Sequence, residues 1–92
     1  MNKVQVEGNL GKDPKPFTTG EQVPGLFVSL AVNNSGKGDA PTWVRCFAYA
    51  NVAEGMKAIA LKKGNRVHLE GELRQDKDNN LFVKVLGGRR MG

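Results

Sequence analysis

The sequence predicts a small all-β barrel of five strands with one short helix between the third and the fourth. Three observations carry this: five runs alternate apolar and polar residues with period two, one run places its apolar residues at helical spacing, and turn-forming residues separate them. Period-two alternation sends successive side chains to opposite faces of a sheet, whereas spacings of three and four line one face of a helix. The chain has 92 residues, enough for a single domain. A domain of this size hides only about 60–65% of the surface its unfolded chain exposes, so it builds one modest core.

The first strand is Lys3–Gly8, with Val4 and Val6 between polar neighbours. In the second, Leu26–Asn33, Val28, Leu30 and Val32 oppose Phe27, Ser29 and Ala31. The third, Thr42–Ala50, sets Val44, Cys46 and Ala48 against Trp43, Arg45, Phe47 and Tyr49. Asn51–Lys63 then carries Val52, Met56, Ile59 and Ala60 at helical spacing. Asn51 is placed to cap this helix, and Glu54 three residues on gives it a capping-box pattern. Lys62 and Lys63 suit its negative pole, and Gly64 suits a left-handed end. Gly55 inside the helix costs about 1 kcal/mol against Ala. Asn65–Arg74 sets Val67, Leu69 and Leu73 against His68, Glu70, Glu72 and Arg74, and Leu81–Leu86 is the fifth strand. The polar run Asp76–Asn80 joins the last two as a hairpin.

Three strands, a helix and two more strands is the order of the OB-fold, a Greek-key barrel in which the helix plugs one end. No repeat or linker divides the chain, so residues 1–92 are read as one OB domain, with about 87–92 as a flexible basic tail.

Composition narrows the function. Hydrophobic residues make up 39% and charged residues 25%, as in a globular protein. No apolar run reaches the length of a membrane span, and no signal-peptide pattern opens the chain, so a cytoplasmic protein is expected. Net charge is +5, which suits a polyanionic partner, and the C-terminal half carries most of it. The lone Cys46 has no disulfide partner and no metal-ligand cluster around it, so neither metal nor cofactor is expected. Catalysis has little support. His68 is single and reads as a surface residue, while Glu70 and Glu72 share a strand face and read as solvated or paired with nearby cations. The glycine runs at 8–11 and 36–38 fit neither a phosphate loop nor a dinucleotide fingerprint.

The third strand is more informative. Trp43, Arg45, Phe47 and Tyr49 stand at i, i+2, i+4 and i+6, putting three rings and a cation on one face. The opposite side, Val44, Cys46 and Ala48, is small and apolar, as barrel filling should be, so the aromatic side faces outward or into a groove. Phe27 on the neighbouring strand joins it. Exposed rings want a flat partner, and each unpaired base stacked on a ring contributes about 1–3 kcal/mol. Arg45, Lys63, Arg74 and Lys77, with Lys37 in the loop before the aromatic strand, are the cations expected to track a phosphate backbone. A second reading, from a different class, makes the barrel a primosome-like protein-interaction subunit whose aromatic face is an interface.

Met1-Asn2-Lys3-Val4, followed by Val6-Glu7-Gly8-Asn9-Leu10-Gly11-Lys12-Asp13-Pro14, resembles the opening of bacterial single-stranded DNA-binding (SSB) proteins, whose first strand ends in a Gly-Asn-Leu-Gly-x-Asp-Pro turn. Ser29-Leu30-Ala31, Thr42-Trp43-Val44-Arg45, Ala53-Glu54, Leu61-Lys62-Lys63-Gly64, Val67–Arg74 and Leu86-Gly87-Gly88-Arg89 follow in the family's order. The resemblance implies sequence-independent binding of single-stranded DNA in replication, recombination or repair. It implies that Trp43 and Tyr49 stack on bases and that Arg45 and Arg74 line the DNA path. It also implies a homo-oligomer, a tetramer or a dimer, in which the first strands Lys3–Gly8 pair across subunits. The chain departs from better-known members in two respects. The loop at Asn33–Pro41 and the hairpin Gln75–Asn80 are short and lack tryptophan, so a smaller stacking surface is expected. The acidic, aromatic tail tip through which typical members recruit repair enzymes is missing, so no recruitment by that route is expected.

Overall fold

The computed structural model describes residues 1–34, 36 and 38–92. Its elements run β1 (Val4–Leu10), β2 (Lys15–Thr18), β3 (Pro24–Val32), β4 (Thr42–Tyr49), α1 (Ala50–Ala58), β5 (Arg66–Gln75) and β6 (Leu81–Met91). The hydrogen-bonded order is β1-β5-β6-β4-β3-β2, and β1 also pairs with β3. That extra pairing closes β1, β3, β4, β6 and β5 into the expected five-stranded barrel, and β2 is a short flap on the outside of β3.

The flap is an addition to the sequence reading. Lys15–Thr18 pairs with Pro24–Phe27 through a turn in which Thr19 Oγ1 accepts the amide N–H groups of Glu21 and Val23, at 3.3 and 3.1 Å. Pro16 sits comfortably there because an edge strand can spare an amide donor.

Inward-facing residues of every barrel strand meet in one core. Leu26, Val28 and Leu30 of β3, Cys46 and Ala48 of β4, Val67 and Leu69 of β5, and Val83 and Val85 of β6 are all buried, as is Leu10 of β1. Ala53 and Met56 of α1 join the cluster, with Leu61 from the turn that follows. Closure demands close backbone approach at two glycines. A Cβ on Gly8 would strike the carbonyl of Ala31, and one on Gly71 would strike that of Lys84.

The helix is shorter than its periodicity predicts. It spans Ala50–Ala58 rather than Asn51–Lys63, and its N-cap is Tyr49, with no side-chain capping bond from Asn51. Glu54 reaches Lys57 at 3.6 Å instead of closing a capping box. The last turn tightens, with Ile59 N–H donating to Met56 O and Ala60 N–H to Lys57 O. Ala60 then takes a left-handed φ of 58° and sends Leu61 into the core. Gly64 is left-handed, at φ 90°, but it serves the turn into β5, where its N–H donates to Leu10 O.

The flexible tail expected over 87–92 is also corrected. Gly87–Met91 continue β6 and pair with β5 as far as Arg66↔Met91. The register slips between Glu70 and Gly71, whose partners are Gly87 and Val85, so Leu86 is the extra residue of a β-bulge and lies exposed. The added pairing gives the tail a ladder to hold it, which period-two counting ending at Leu86 does not register.

Candidate nucleic-acid interface

Pairing register decides what shares the outer face of the barrel. Phe27 sits opposite Phe47, Ser29 opposite Arg45 and Ala31 opposite Trp43. Lys15 lies opposite Phe27, and Phe17 opposite Gly25. Across the parallel seam Phe47 meets Lys84, and β5 sets Glu72 beside Lys84 and Arg74 beside Phe82. Trp43, Arg45, Phe47 and Tyr49 therefore project from one surface with Phe17, Phe27 and Phe82.

Phe47 is the hub of this surface. Its centroid is 5.0 Å from Phe27, 5.2 Å from Phe82 and 6.0 Å from Phe17, and the Arg45 guanidinium lies 6.0 Å away. Phe17 also meets Tyr49 edge-on at 5.9 Å. The edge-to-face contacts suit the ring quadrupoles, and they leave the cluster half-buried rather than hidden. Phe27 and Phe47 thus pack against neighbours and still reach solvent. Lys15, Phe17, Phe27, Arg45 and Phe47 line a shallow groove, and a second runs alongside it past Lys12, Pro14 and Ser29.

Trp43 stands apart. It is 59% exposed, the most open aromatic side chain of the face, and its indole lies over Gly11. The cations differ in how they are held. Arg45 Nη2 donates to Asp76 Oδ2 at 3.2 Å and to Leu81 O at 3.1 Å. Arg74 Nε donates to Glu72 Oε1 at 3.3 Å. Among the described residues no ion pair engages Lys12, Lys15 or Lys84.

The remaining sequence-predicted cations fall outside the ring cluster. Lys63 lies in the turn before β5, held by its backbone N–H on Asp13 Oδ1 at 2.7 Å, and Lys77 lies at the exposed tip of the β5–β6 hairpin. Lys37 lies outside the described residues. Sequence reasoning missed Phe17, Phe82, Lys12, Lys15 and Lys84. Alternation in the last strand already sets Phe82 and Lys84 against buried Val83 and Val85, so that signal was present. Phe17 had none, since it lies between Pro16 and a Thr-Thr-Gly turn.

The other candidates for chemistry are paired elsewhere. His68 Nδ1 is 3.2 Å from Glu7 Oε1, Glu7 also meets Arg66 at 3.8 Å, and Gln5 donates to Glu70. No cluster of three metal-ligating side chains exists among the described residues.

A closed OB barrel with a half-buried aromatic patch, an open indole and lysines outside any ion pair among the described residues places stacking surfaces and positive charge on one face. Comparison with known proteins makes this particular: residues 1–83 match the single-strand binding protein family, and the chain belongs to that family. It is 33% identical over 95 residues to the single-stranded DNA-binding protein of Onion yellows phytoplasma, covering 94% of this chain and 88% of that protein. It is 36% identical over 81 residues to the single-stranded DNA-binding protein of Mycoplasma pneumoniae, covering 87% of this chain and 48% of that protein. Single-stranded DNA-binding protein 1 of Xylella fastidiosa is 32% identical over 91 residues, 66% of its length being covered. The chain thus spans between about half and two thirds of several curated relatives. The wild-type single-stranded DNA-binding protein of Thermus aquaticus superposes with a TM-score of 0.83 at 26% identity, over 100% of this chain and 41% of that one. The SSB domain of a Synechococcus protein gives 0.82 at 16% identity, over 97% of this chain and 94% of that one, which bears on the fold alone.

Proposed function

We propose that this chain binds single-stranded DNA without sequence preference and protects it, in replication, recombination or repair, and that it catalyses nothing. The observation that carries this is the outer face centred on Phe47, with half-buried rings flanked by the open Trp43 indole. Every base offers a face for stacking, so such a surface takes any sequence. In this reading Trp43, Phe47, Tyr49 and Phe27 stack, with Phe17 and Phe82. Arg45, Arg74 and the lysines 12, 15, 37, 63, 77 and 84 follow the phosphates. Duplex DNA hides its base faces and is bound more weakly.

Titrating Trp43 fluorescence with oligo-dT at two salt concentrations tests it. Quenching that weakens as salt rises, with a log–log slope of about −0.7 per neutralised phosphate, is the expected result. An unresponsive indole, or equal affinity for duplex and single strand, sinks it and favours the protein-interaction subunit.

Assembly belongs to the same proposal. Val4–Gly8 pair with β5 along one edge, while β3 reaches only Asn9 and Leu10 on the other. An unpaired stretch of edge is a template for another strand. The reading is a homo-oligomer, dimer or tetramer, in which first strands pair, working in the cytoplasm. No helix among the described residues is long and apolar enough to cross a membrane. Light scattering that returns a monomer overturns the assembly.

A further inference from the structure

We infer that Asp76 is an internal competitor of the DNA phosphate at Arg45, an inference that rests on the single-strand reading of the same face. Arg45 lies in the middle of that face, beside Phe47 and on the wall of the groove formed with Lys15, Phe17 and Phe27. A guanidinium grips a phosphate best with two parallel N–H bonds. Both of its two-pronged edges, Nε with Nη2 and Nη1 with Nη2, use Nη2. In this chain Nη2 is already spent, on Asp76 Oδ2 at 3.2 Å and Leu81 O at 3.1 Å. An arriving phosphate finds single donors only, unless it displaces the carboxylate.

The competitor is held ready by its loop. The other carboxylate oxygen, Oδ1, accepts the amide N–H groups of Asp78 and Asn80, both at 2.9 Å. Asp76 N–H donates to Asn80 O and Asn79 N–H to Asp76 O, each at 3.0 Å, which closes the hairpin tip around the side chain. The ion pair itself is open to water, with the two side chains 39% and 29% exposed, so it adds little to stability and exchanges readily. Arg74 is also paired with a carboxylate, Glu72, but through Nε alone. Both arginines of the face thus reach DNA already neutralised, while Lys15 and Lys84 carry the uncompensated charge. The consequence is a lowered affinity that leaves bound strand easy to release.

The test is Asp76→Asn, which keeps an oxygen for the loop amides and removes the charge facing Arg45. Oligo-dT affinity at low salt should rise about twofold to fivefold, by the strength of an exposed ion pair. The salt slope should steepen by about 0.7, the value of one further phosphate neutralised on single-stranded DNA. Adding Arg45→Ala to the variant should abolish both gains, since the coupling runs through that pair. Asp76→Ser, which can also accept the loop amides, should show the same gain and covers the case in which Asn disturbs the hairpin. If the wild type binds oligo-dT normally and both variants leave affinity and slope unchanged or lower, Asp76 positions Arg45 instead, and this inference alone falls. If the wild type does not bind oligo-dT, the single-strand reading falls and takes the inference with it.

Discussion

The indole of Trp43 rests on Gly11, and a Cβ placed on that glycine would run into its Cζ3 and Cη2 atoms. Gly11 is outside the left-handed region, so a side chain there meets the ring and no backbone strain. The first turn of the chain is therefore the floor on which the most open aromatic side chain stands. Gly11→Ala should tilt the indole, shift its emission and weaken oligo-dT binding severalfold, while the melting temperature stays within a few degrees. Unchanged affinity would mean that the ring's seat is irrelevant to binding.

Trp43 and Phe47 should separate binding from stability. Trp43→Ala removes an exposed ring, so affinity should fall by about 5- to 150-fold, the value of about 1–3 kcal/mol for one stacked base. Its stability should barely move. Phe47→Ala removes the hub of the ring cluster, and affinity and melting temperature should fall together. Parallel titrations and thermal melts read both quantities. Equal destabilisation by the two changes would contradict the geometry.

Cys46 sets a limit on the alkaline side. Burial among barrel side chains pushes its thiol from 9.0 up to about 12. The unfolded chain releases that proton first, so stability is complete below about pH 9 and is lost as pH rises towards about 12. The slope is about 1.4 kcal/mol per pH unit for one thiol. Denaturant melts between pH 8 and 11 should show this loss, and Cys46→Ala should remove its part. The native thiol should also resist a disulfide reagent at pH 8 and react on unfolding.

Asp76 acts on the acid side. The amide of Asn80 first, then that of Asp78 and the Arg45 guanidinium, hold its carboxyl below 3.8. Such a group stabilises the fold above its unfolded value and loses that contribution as pH falls through the lower, folded one. The interval between melting temperatures at pH 7 and pH 3 should therefore be narrower in Asp76→Asn than in the wild type. An interval as wide as the wild type's would show that the loop bonds do not depend on the charge.

Gly71→Ala should be the most damaging small change in the barrel, because its Cβ would meet the Lys84 backbone carbonyl, which has no rotamer to adopt. Overpacking of this kind costs about 1–3 kcal/mol, and each kcal/mol shifts the melting temperature of a domain this size by about 4–8 °C. A melt unchanged from the wild type would show that β5 and β6 can part there at no cost.

The barrel and most of its core were legible because alternation is enforced wherever one face of a strand is buried. Val28, Leu30, Cys46, Ala48, Val67 and Leu69 all point inward as their spacing requires. Leu73 follows the same parity and yet is 42% exposed, because the β5–β6 hairpin there runs past the end of the core. The helix end was illegible for a different reason. Ala60 and Ile59 keep helical spacing, but burying Leu61 demands a left-handed residue at 60, a tertiary requirement that no local pattern carries. On the candidate site, the run from Trp43 to Tyr49 revealed its face directly. The partners Phe17 and Lys15 come from a flap that two prolines and a turn disguise as loop, and only cross-strand register brings them to Phe27. Glu72 beside Arg74 was legible, since the two share a face of one strand, but the carboxylate holding Arg45 was hidden, because Asp76 reaches it only where the tip of the β5–β6 hairpin folds against β4.

Two of the joins that close the barrel are thin. β1 meets β3 through Asn9↔Ala31 and Leu10↔Leu30 alone, and β4 meets β6 through Cys46↔Val83 and Phe47↔Lys84 alone. Mechanically the molecule is two three-stranded shells, β1-β5-β6 and β2-β3-β4, clasped along two narrow joints. The aromatic surface straddles one of these joints, with Phe47 on one shell and Phe82 on the other. There the surface is joined by a two-pair ladder and by the edge-to-face contact of Phe47 with Phe82. In the proposed binding, bases stacked there would touch both shells at once.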